Sequence, residues 1–164
     1  MKSDHSLIPT LLYHGTDANF DTFDVSYKGT NTGYENKIHG FFFTEKLVHA
    51  QLFGKRIIAP SLAISNPIDL TIPGIFTIAS QAPLIWGIIS GEILLPAQAL
   101  ETLDNNIGLG EINDLFAELN TEKASEMIRS AGYDAIISDM GDHNMEYVVF
   151  DPSQIKIFSS LTYL

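Results

Sequence analysis

Short strand-like runs of apolar residues stand at both ends of this sequence with helix-like segments between them, and this order limits the possible folds most. The strand-like runs are residues 11–13, 41–43, 57–64, 133–138, 146–150 and 155–159. Strands that are segregated from helices along a chain are typical of α+β domains. The chain has 164 residues, of which 45% are hydrophobic. We therefore expect one α+β domain over residues 1–164 with a substantial core.

The middle of the chain predicts helices in several pieces. Residues 73–120 contain helix-breaking positions at Pro83, at Pro96 and at residues 105–108. Residues 121–130 predict a further helix, which Gly132 follows at a position where glycine commonly ends helices.

Two features near the N-terminus bear on a functional site. Thr44 predicts the N-cap of a helix that carries Leu47, Val48 and Leu52 on one side and stops at Gly54. Residues 17–40 are rich in Asn, Asp, Thr and Gly and predict a long irregular loop. Loops of that length in a compact domain are usually functional.

The charge balance makes nucleic acid a poor partner. The sequence has 20 acidic and 9 basic side chains, a formal net charge of −11, and such a surface repels a phosphate backbone. Cysteine is absent from the sequence, and the five histidines show neither the spacing nor the clustering of a zinc site. We therefore expect no metal. We also expect a cytoplasmic protein without a membrane-spanning segment or a signal peptide, because every long apolar stretch is interrupted.

Three segments carry residues that are suited to chemistry, although each has an ordinary explanation when it stands alone. They are Tyr13-His14-Gly15-Thr16, Gly40-Phe41-Phe42-Phe43-Thr44 and Glu146-Tyr147-Val148-Val149-Phe150-Asp151. A histidine at a strand end is more often structural, an aromatic run in a strand usually packs in the core, and a glutamate that opens a strand is most often solvated.

Together and in this order, the segments resemble the ADP-ribosyltransferase superfamily of the histidine–tyrosine–glutamate type, which includes diphtheria-toxin-like enzymes and poly-ADP-ribose polymerases. The family motifs are Tyr/Phe-His-Gly-Thr/Ser, then Gly-x-Tyr-Phe-Ser/Thr/Ala before a helix, then a glutamate that leads an apolar strand. The pair Gln154-Ile155 after the third motif, the pair Asn66-Pro67 and residues 132–136 also resemble small phage and bacterial members, including those of phage polyvalent proteins. The motif tyrosine is replaced by Phe42.

The resemblance implies an ADP-ribosyltransferase-like fold of two small, packed, largely antiparallel sheets with flanking helices. It implies a mono-ADP-ribosyltransferase that uses NAD⁺ as co-substrate, has no metal, and modifies a macromolecule, which the acidic charge suggests is a protein. The catalytic residues that it implies are Glu146, His14 and Phe42. The NAD⁺-binding residues that it implies are His14, Gly15, Thr16, Tyr34, Phe42, Thr44 and Glu146.

The implied roles follow from the chemistry of NAD⁺ cleavage. Glu146 would stabilise an oxocarbenium-like ribosyl cation electrostatically, and Phe42 would stack on the nicotinamide ring. Gly15 would meet the carboxamide through its backbone, and His14 and Thr16 would bond ribose hydroxyls or the carboxamide. Three basic residues are candidates for the pyrophosphate: Lys28, Lys37 and Arg56.

Several alternatives stay open at this point. Arginine-directed relatives commonly carry an acid two positions before the catalytic glutamate, where this chain has Asn144, so we expect an acceptor other than arginine. Water could be the acceptor, which would make the protein an NAD⁺ glycohydrolase. Loss of the motif tyrosine is compatible with an inactive NAD⁺- or protein-binding module, and the acidic charge disfavours an RNA 2′-phosphotransferase. The resemblance also suggests a toxin, an effector or a phage protein that acts on host machinery or defence.

Overall fold

A computed structural model of the chain describes residues 8–9, 11–17, 39–139, 141, 144–157 and 160–162. Its strands are β1 (His14–Thr16), β2 (Phe41–Thr44), β3 (Arg56–Ile58), β4 (Ser61–Leu62), β5 (Pro67–Asp69), β6 (Ala135–Asp139), β7 (Met145–Val149), β8 (Ile155–Lys156) and β9 (Ser160–Thr162). Its α-helices are α1 (Leu47–Ala50), α2 (Ile72–Thr77), α3 (Ala82–Ser90), α4 (Pro96–Asn106), α5 (Ile112–Leu119) and α6 (Glu122–Ser130). The α+β class is confirmed. No helix in the described ranges is long and apolar enough to cross a bilayer.

Within these ranges the strands form three sheets. The central sheet has the order β2-β7-β6-β5, in which β5 and β6 are parallel and the other neighbours are antiparallel. A second sheet has the order β1-β3-β9, and β4 pairs with β8. The backbones of Tyr13 and Thr44 exchange two hydrogen bonds of 2.8 Å. This bridge joins the start of β1 to the end of β2 and so links the second sheet to the central one.

The two faces of the central sheet pack against different layers, because successive strand side chains point to opposite sides. Phe42, Val148 and Ile136 lie on one face, in the core that the sheet shares with helices α2 to α6. The opposite face packs against Leu12 and Ile58 of the second-sheet region. The central sheet is therefore covered by helices on one side and by a small sheet on the other.

Most of the helices that the sequence predicts are confirmed, but two prolines that were expected to break helices lie at helix starts. Pro83 and Pro96 lie in the first turns of α3 and α4, where a missing N–H costs nothing, so they start helices. The Thr121 hydroxyl accepts from the Ala124 N–H at the start of α6, and Gly132 follows that helix with φ 95°.

Two expectations about local structure are wrong. The first strand is His14–Thr16 rather than residues 11–13, because its partners are Ile58 to Arg56 on β3. Thr44 is the last residue of β2, and the N-cap of the short helix α1 is Lys46, without a side-chain cap. Val48 and Leu52 are 62% and 77% exposed, so α1 does not bury the apolar side that the sequence predicts.

One further correction concerns the segment after β3. The apolar run 57–64 is divided between β3 and β4, and the next strand, β5, begins at Pro67. The family-like Gln154 ties this region to the sheet, because its amide donates to the carbonyl oxygens of Ala63 and Asp134 at 3.0 Å each.

Candidate active site

Glu146 lies in a row of polar side chains across the central sheet. Its direct partners are Thr44 on β2 and Ser138 on β6, and directly opposite residues of antiparallel strands point to the same face. The neighbouring row on this face is Phe42, Val148 and Ile136, which belongs to the helix-side core. The carboxyl group therefore stands where the apolar part of this face ends.

The carboxyl group of Glu146 is largely withdrawn from solvent. The residue is 5% exposed, and its Oε1 is buried without a hydrogen-bond partner among the described residues. The Ser138 hydroxyl donates to Oε2 over a long 3.4 Å. Burial raises the pKa of Glu146 from 4.5 to about 7, against the smaller, opposite effect of Ser138. A buried oxygen that lacks a partner is uncommon, so this atom is suited to a donor that the protein does not itself provide.

His14 lies beside Phe42, across the edge of β2. Its Nδ1 is 2.8 Å from the Phe42 carbonyl oxygen, and because a carbonyl can only accept, Nδ1 carries the proton. Burial lowers the pKa of His14 from 6.5 to about 4, although the hydrogen bond to Phe42 acts in the other direction. The imidazole is therefore neutral near pH 7, with Nε2 as its acceptor nitrogen.

Gly15 is required by packing between β1 and α1. A Cβ on Gly15 would overlap the carbonyl oxygen of Ala50, and a Cβ on Gly54 would overlap backbone atoms of Thr16. Thr16 itself is fully buried. The glycine of the first motif thus allows α1 to pack closely against β1. This packing explains the glycine at this position without any ligand.

Phe42 is a core residue with two aromatic neighbours. It is 3% exposed. The ring of Phe53 lies 4.9 Å from it at 75°, an edge-to-face arrangement, and the ring of His14 lies 5.4 Å from it at 60°. At this low exposure the Phe42 ring is closed to a second flat ring in this arrangement.

The structure brings most of the predicted site residues into one region. β1 and β2 carry His14, Thr16, Phe42 and Thr44, and the neighbouring strand β7 carries Glu146. Among the basic candidates, Arg56 lies opposite Thr16 on β3. Tyr34, Lys28 and Lys37 lie outside the described residues.

A family model provides the deciding comparison. The model described as "ADP-Ribosyltransferase in polyvalent proteins" matches residues 4–160. The chain belongs to this family. NAD⁺ is the substrate that the family uses.

Solved structures of similar fold are distant in sequence. A chain of the M. tuberculosis MbcT–MbcA toxin–antitoxin complex superposes with a TM-score of 0.50 at 9% identity, over 93% of this chain and 82% of that one. An anti-CRISPR protein gives a TM-score of 0.43 at 14% identity, over 90% and 94% of the two chains. A search of curated proteins gives no significant match. The toxin–antitoxin likeness agrees with the ADP-ribosyltransferase fold.

Sequence reasoning missed two residues that touch the predicted site of this ADP-ribosyltransferase domain. Ser138 bonds Glu146, and a hairpin register that pairs the two positions could have identified it. Phe53 contacts Phe42 from the turn after α1, a contact that no local pattern predicts. No cluster of three metal-binding side chains lies within the described part of the chain.

Proposed function

We propose that this domain cleaves the nicotinamide–ribose bond of NAD⁺ and transfers ADP-ribose to a macromolecular acceptor, most simply a protein. The observation that supports this best is the buried Glu146 carboxyl, whose Oε1 has no hydrogen-bond partner among the described residues, on the same sheet face as Phe42 and close in the fold to His14. A structural carboxyl so deeply buried would be expected to have its hydrogen bonds satisfied.

Glu146 supplies the negative charge that stabilises the transition state of NAD⁺ cleavage. When the C1′–N bond breaks, its electron pair leaves with nicotinamide, which becomes neutral and needs no acid. Positive charge develops on the ribosyl C1′ and ring oxygen. The ionised carboxylate stabilises that charge in a water-poor environment, and Oε1 accepts from a neighbouring ribose hydroxyl.

His14 and Ser138 hold complementary positions around this group. The Nδ1 proton of His14 is committed to the Phe42 carbonyl, so its Nε2 is suited to accept from a ribose hydroxyl. Ser138 acts through Glu146 and is a positioning residue, because its hydroxyl orients Oε2 and favours the ionised carboxylate.

Stacking of nicotinamide on Phe42 requires a local movement. Phe53 lies against the Phe42 ring, which is only 3% exposed, and a stacked ring occupies the space directly above an aromatic face. The Phe53 side chain must therefore move aside when NAD⁺ binds. It is only partly buried and follows a helix of a single turn, and its movement would separate it from the helix-side core against which it packs.

The test uses NAD⁺ labelled on the adenylate, incubated with purified protein with and without cell lysate. Wild type should release nicotinamide and label lysate proteins, and Glu146→Gln should lower the release by about two orders of magnitude. Glu101→Gln, an exposed site on α4, is the matched control and should match wild type. Release without labelled protein would assign the activity as NAD⁺ hydrolysis, and no release by wild type would reject the proposal.

A further inference from the structure

A lysine and an asparagine lie beyond the end of the β2–β7 pairing, at the rim of the site. Thr44 and Glu146 form the last backbone pair of these strands, and Lys46 and Asn144 each lie two residues beyond that pair along the chain. The Lys46 Nζ donates to Asn144 Oδ1 at 2.9 Å. Two residues of strand span about 7 Å, so this pair borders the row that contains Glu146.

The described acids near this rim belong to the opposite face of the sheet. Asp139 lies opposite Met145 at the end of β6, and alternation puts both on the face that packs against the second sheet. The pKa of Tyr147, a residue of that face, is raised to about 12 by burial and then by the charges of Glu45 and Asp69. Among the described residues, the rim on the Glu146 face thus presents a cation, Lys46, and a neutral amide, Asn144.

We propose that Lys46 selects the acceptor of the transfer reaction and that this acceptor is a carboxylate side chain of a protein. The inference rests on the proposed function, since it names the acceptor for the same site. A lysine ammonium attracts a carboxylate and repels a guanidinium or an ammonium at the same position. In a chain of net charge −11, a local cation at this rim offsets the repulsion that an acidic segment would otherwise meet.

A carboxylate acceptor also balances the reaction without a further group. One of its oxygens supplies the electron pair for the new bond to C1′, while the C1′–N bond breaks and its pair leaves with neutral nicotinamide. The acceptor has no proton to lose, and the product is an ester of ADP-ribose. A guanidinium would have to release a proton beside Lys46.

The linkage of the transferred group tests the acceptor class. After labelling of lysate with adenylate-labelled NAD⁺, neutral hydroxylamine should release most of the protein-bound label, because it cleaves esters, and mass spectrometry should locate ADP-ribose on Asp or Glu. Label that resists hydroxylamine, or that maps to Arg, Lys or Ser, overturns the proposal. Nicotinamide release without labelled protein also overturns it but leaves NAD⁺ cleavage intact.

Charge variants test the role of Lys46 separately from folding. Lys46→Glu should reduce protein labelling about tenfold at low salt, while nicotinamide release stays within about twofold of wild type, because interactions between exposed charges are screened by salt but act strongly without it. Lys46→Arg should retain labelling. Lys123→Glu, an exposed site on α6, makes the same charge change and should leave labelling unchanged. Equal labelling by Lys46→Glu and Lys123→Glu would remove Lys46 from this role, and failure of wild type to cleave NAD⁺ would instead reject the proposed function.

Discussion

At the scale of single residues, burial shifts the pKa values of Glu146 and His14 in opposite directions. The pKa of Glu146 rises to about 7 and that of His14 falls to about 4. At neutral pH the site therefore combines a carboxyl near its midpoint with a neutral imidazole. Cation stabilisation requires the ionised form of Glu146, which becomes the main form above pH 7, and the neutral imidazole of His14 keeps one nitrogen as an acceptor.

The two shifts predict opposite effects on stability. Because the pKa of Glu146 is raised, the folded state keeps a proton on this carboxyl between about pH 4.5 and 7, where the unfolded state has lost it. The contribution of Glu146 to stability is therefore fully present below pH 4.5 and is lost as pH rises through 7. The lowered pKa of His14 does the reverse: its contribution is present above 6.5 and is lost as pH falls through about 4.

Glu146→Gln should isolate the effect of the carboxyl. As pH rises from 4.5 to 7, wild type should lose unfolding free energy relative to the variant. The loss should be on the order of 3 kcal/mol, because the pKa of Glu146 is shifted by 2.5 units (7 − 4.5), and it should level off above pH 7. Urea unfolding at several pH values measures it, with Glu101→Gln as the control. A constant difference across this range would contradict the buried, raised carboxyl.

At the scale of elements, the contact between β1 and α1 depends on Gly15. Gly15→Ala should destabilise the fold by about 2 kcal/mol or more and impair NAD⁺ cleavage, since the new Cβ overlaps the backbone of Ala50 and forces the strand and helix apart. Gly87→Ala in α3 is the control: its Cβ meets only the Glu92 carbonyl oxygen, at 3.8 Å. Thermal unfolding compares them, and equal melting temperatures would refute the packing role of Gly15.

The Phe53 side chain itself offers a test of the movement that stacking requires. If this ring must leave the Phe42 ring, 4.9 Å away, before nicotinamide stacks there, Phe53→Ala should bind NAD⁺ several-fold more tightly than wild type, as calorimetry would measure. Phe116→Ala removes a partly buried ring on α5 and is the control, which should leave the affinity unchanged. Equal or weaker NAD⁺ binding by Phe53→Ala would show that Phe53 need not move.

Elements differed in how far the sequence could predict them. The strands β2 and β7, the helix α6 and the β6–β7 hairpin follow from local patterns of apolar residues, caps and turns, so they were predicted. The bounds of β1 depend on Ile57 and Ile58, which lie over forty positions away in the sequence. The contacts of Ser138 and Phe53 likewise arise from register and packing between distant segments, which a single sequence does not encode locally.

At the scale of the whole molecule, NAD⁺ binding should be coupled to global stability. A ligand present at 100 times its Kd stabilises the folded state by about 2.7 kcal/mol, which for a chain of this length raises Tm by roughly 5 to 10 °C. The Glu146→Gln variant suits this measurement, because it should bind NAD⁺ while cleaving it only slowly. Nicotinamide alone should raise Tm by less, and an unchanged Tm with saturating NAD⁺ would contradict the proposed NAD⁺ site.

The initial rate of nicotinamide release from NAD⁺ between pH 5 and 9 tests the central claim most directly. If the ionised Glu146 carboxylate stabilises the ribosyl cation, kcat/KM should rise about tenfold per pH unit below a midpoint near 7 and reach a plateau above it. No second ionisation from His14 should appear in this range, because its pKa is about 4. Glu146→Gln should be slow and nearly independent of pH. A flat wild-type profile, or the same profile in Glu146→Gln, would contradict the assignment of Glu146 as the charge that drives NAD⁺ cleavage.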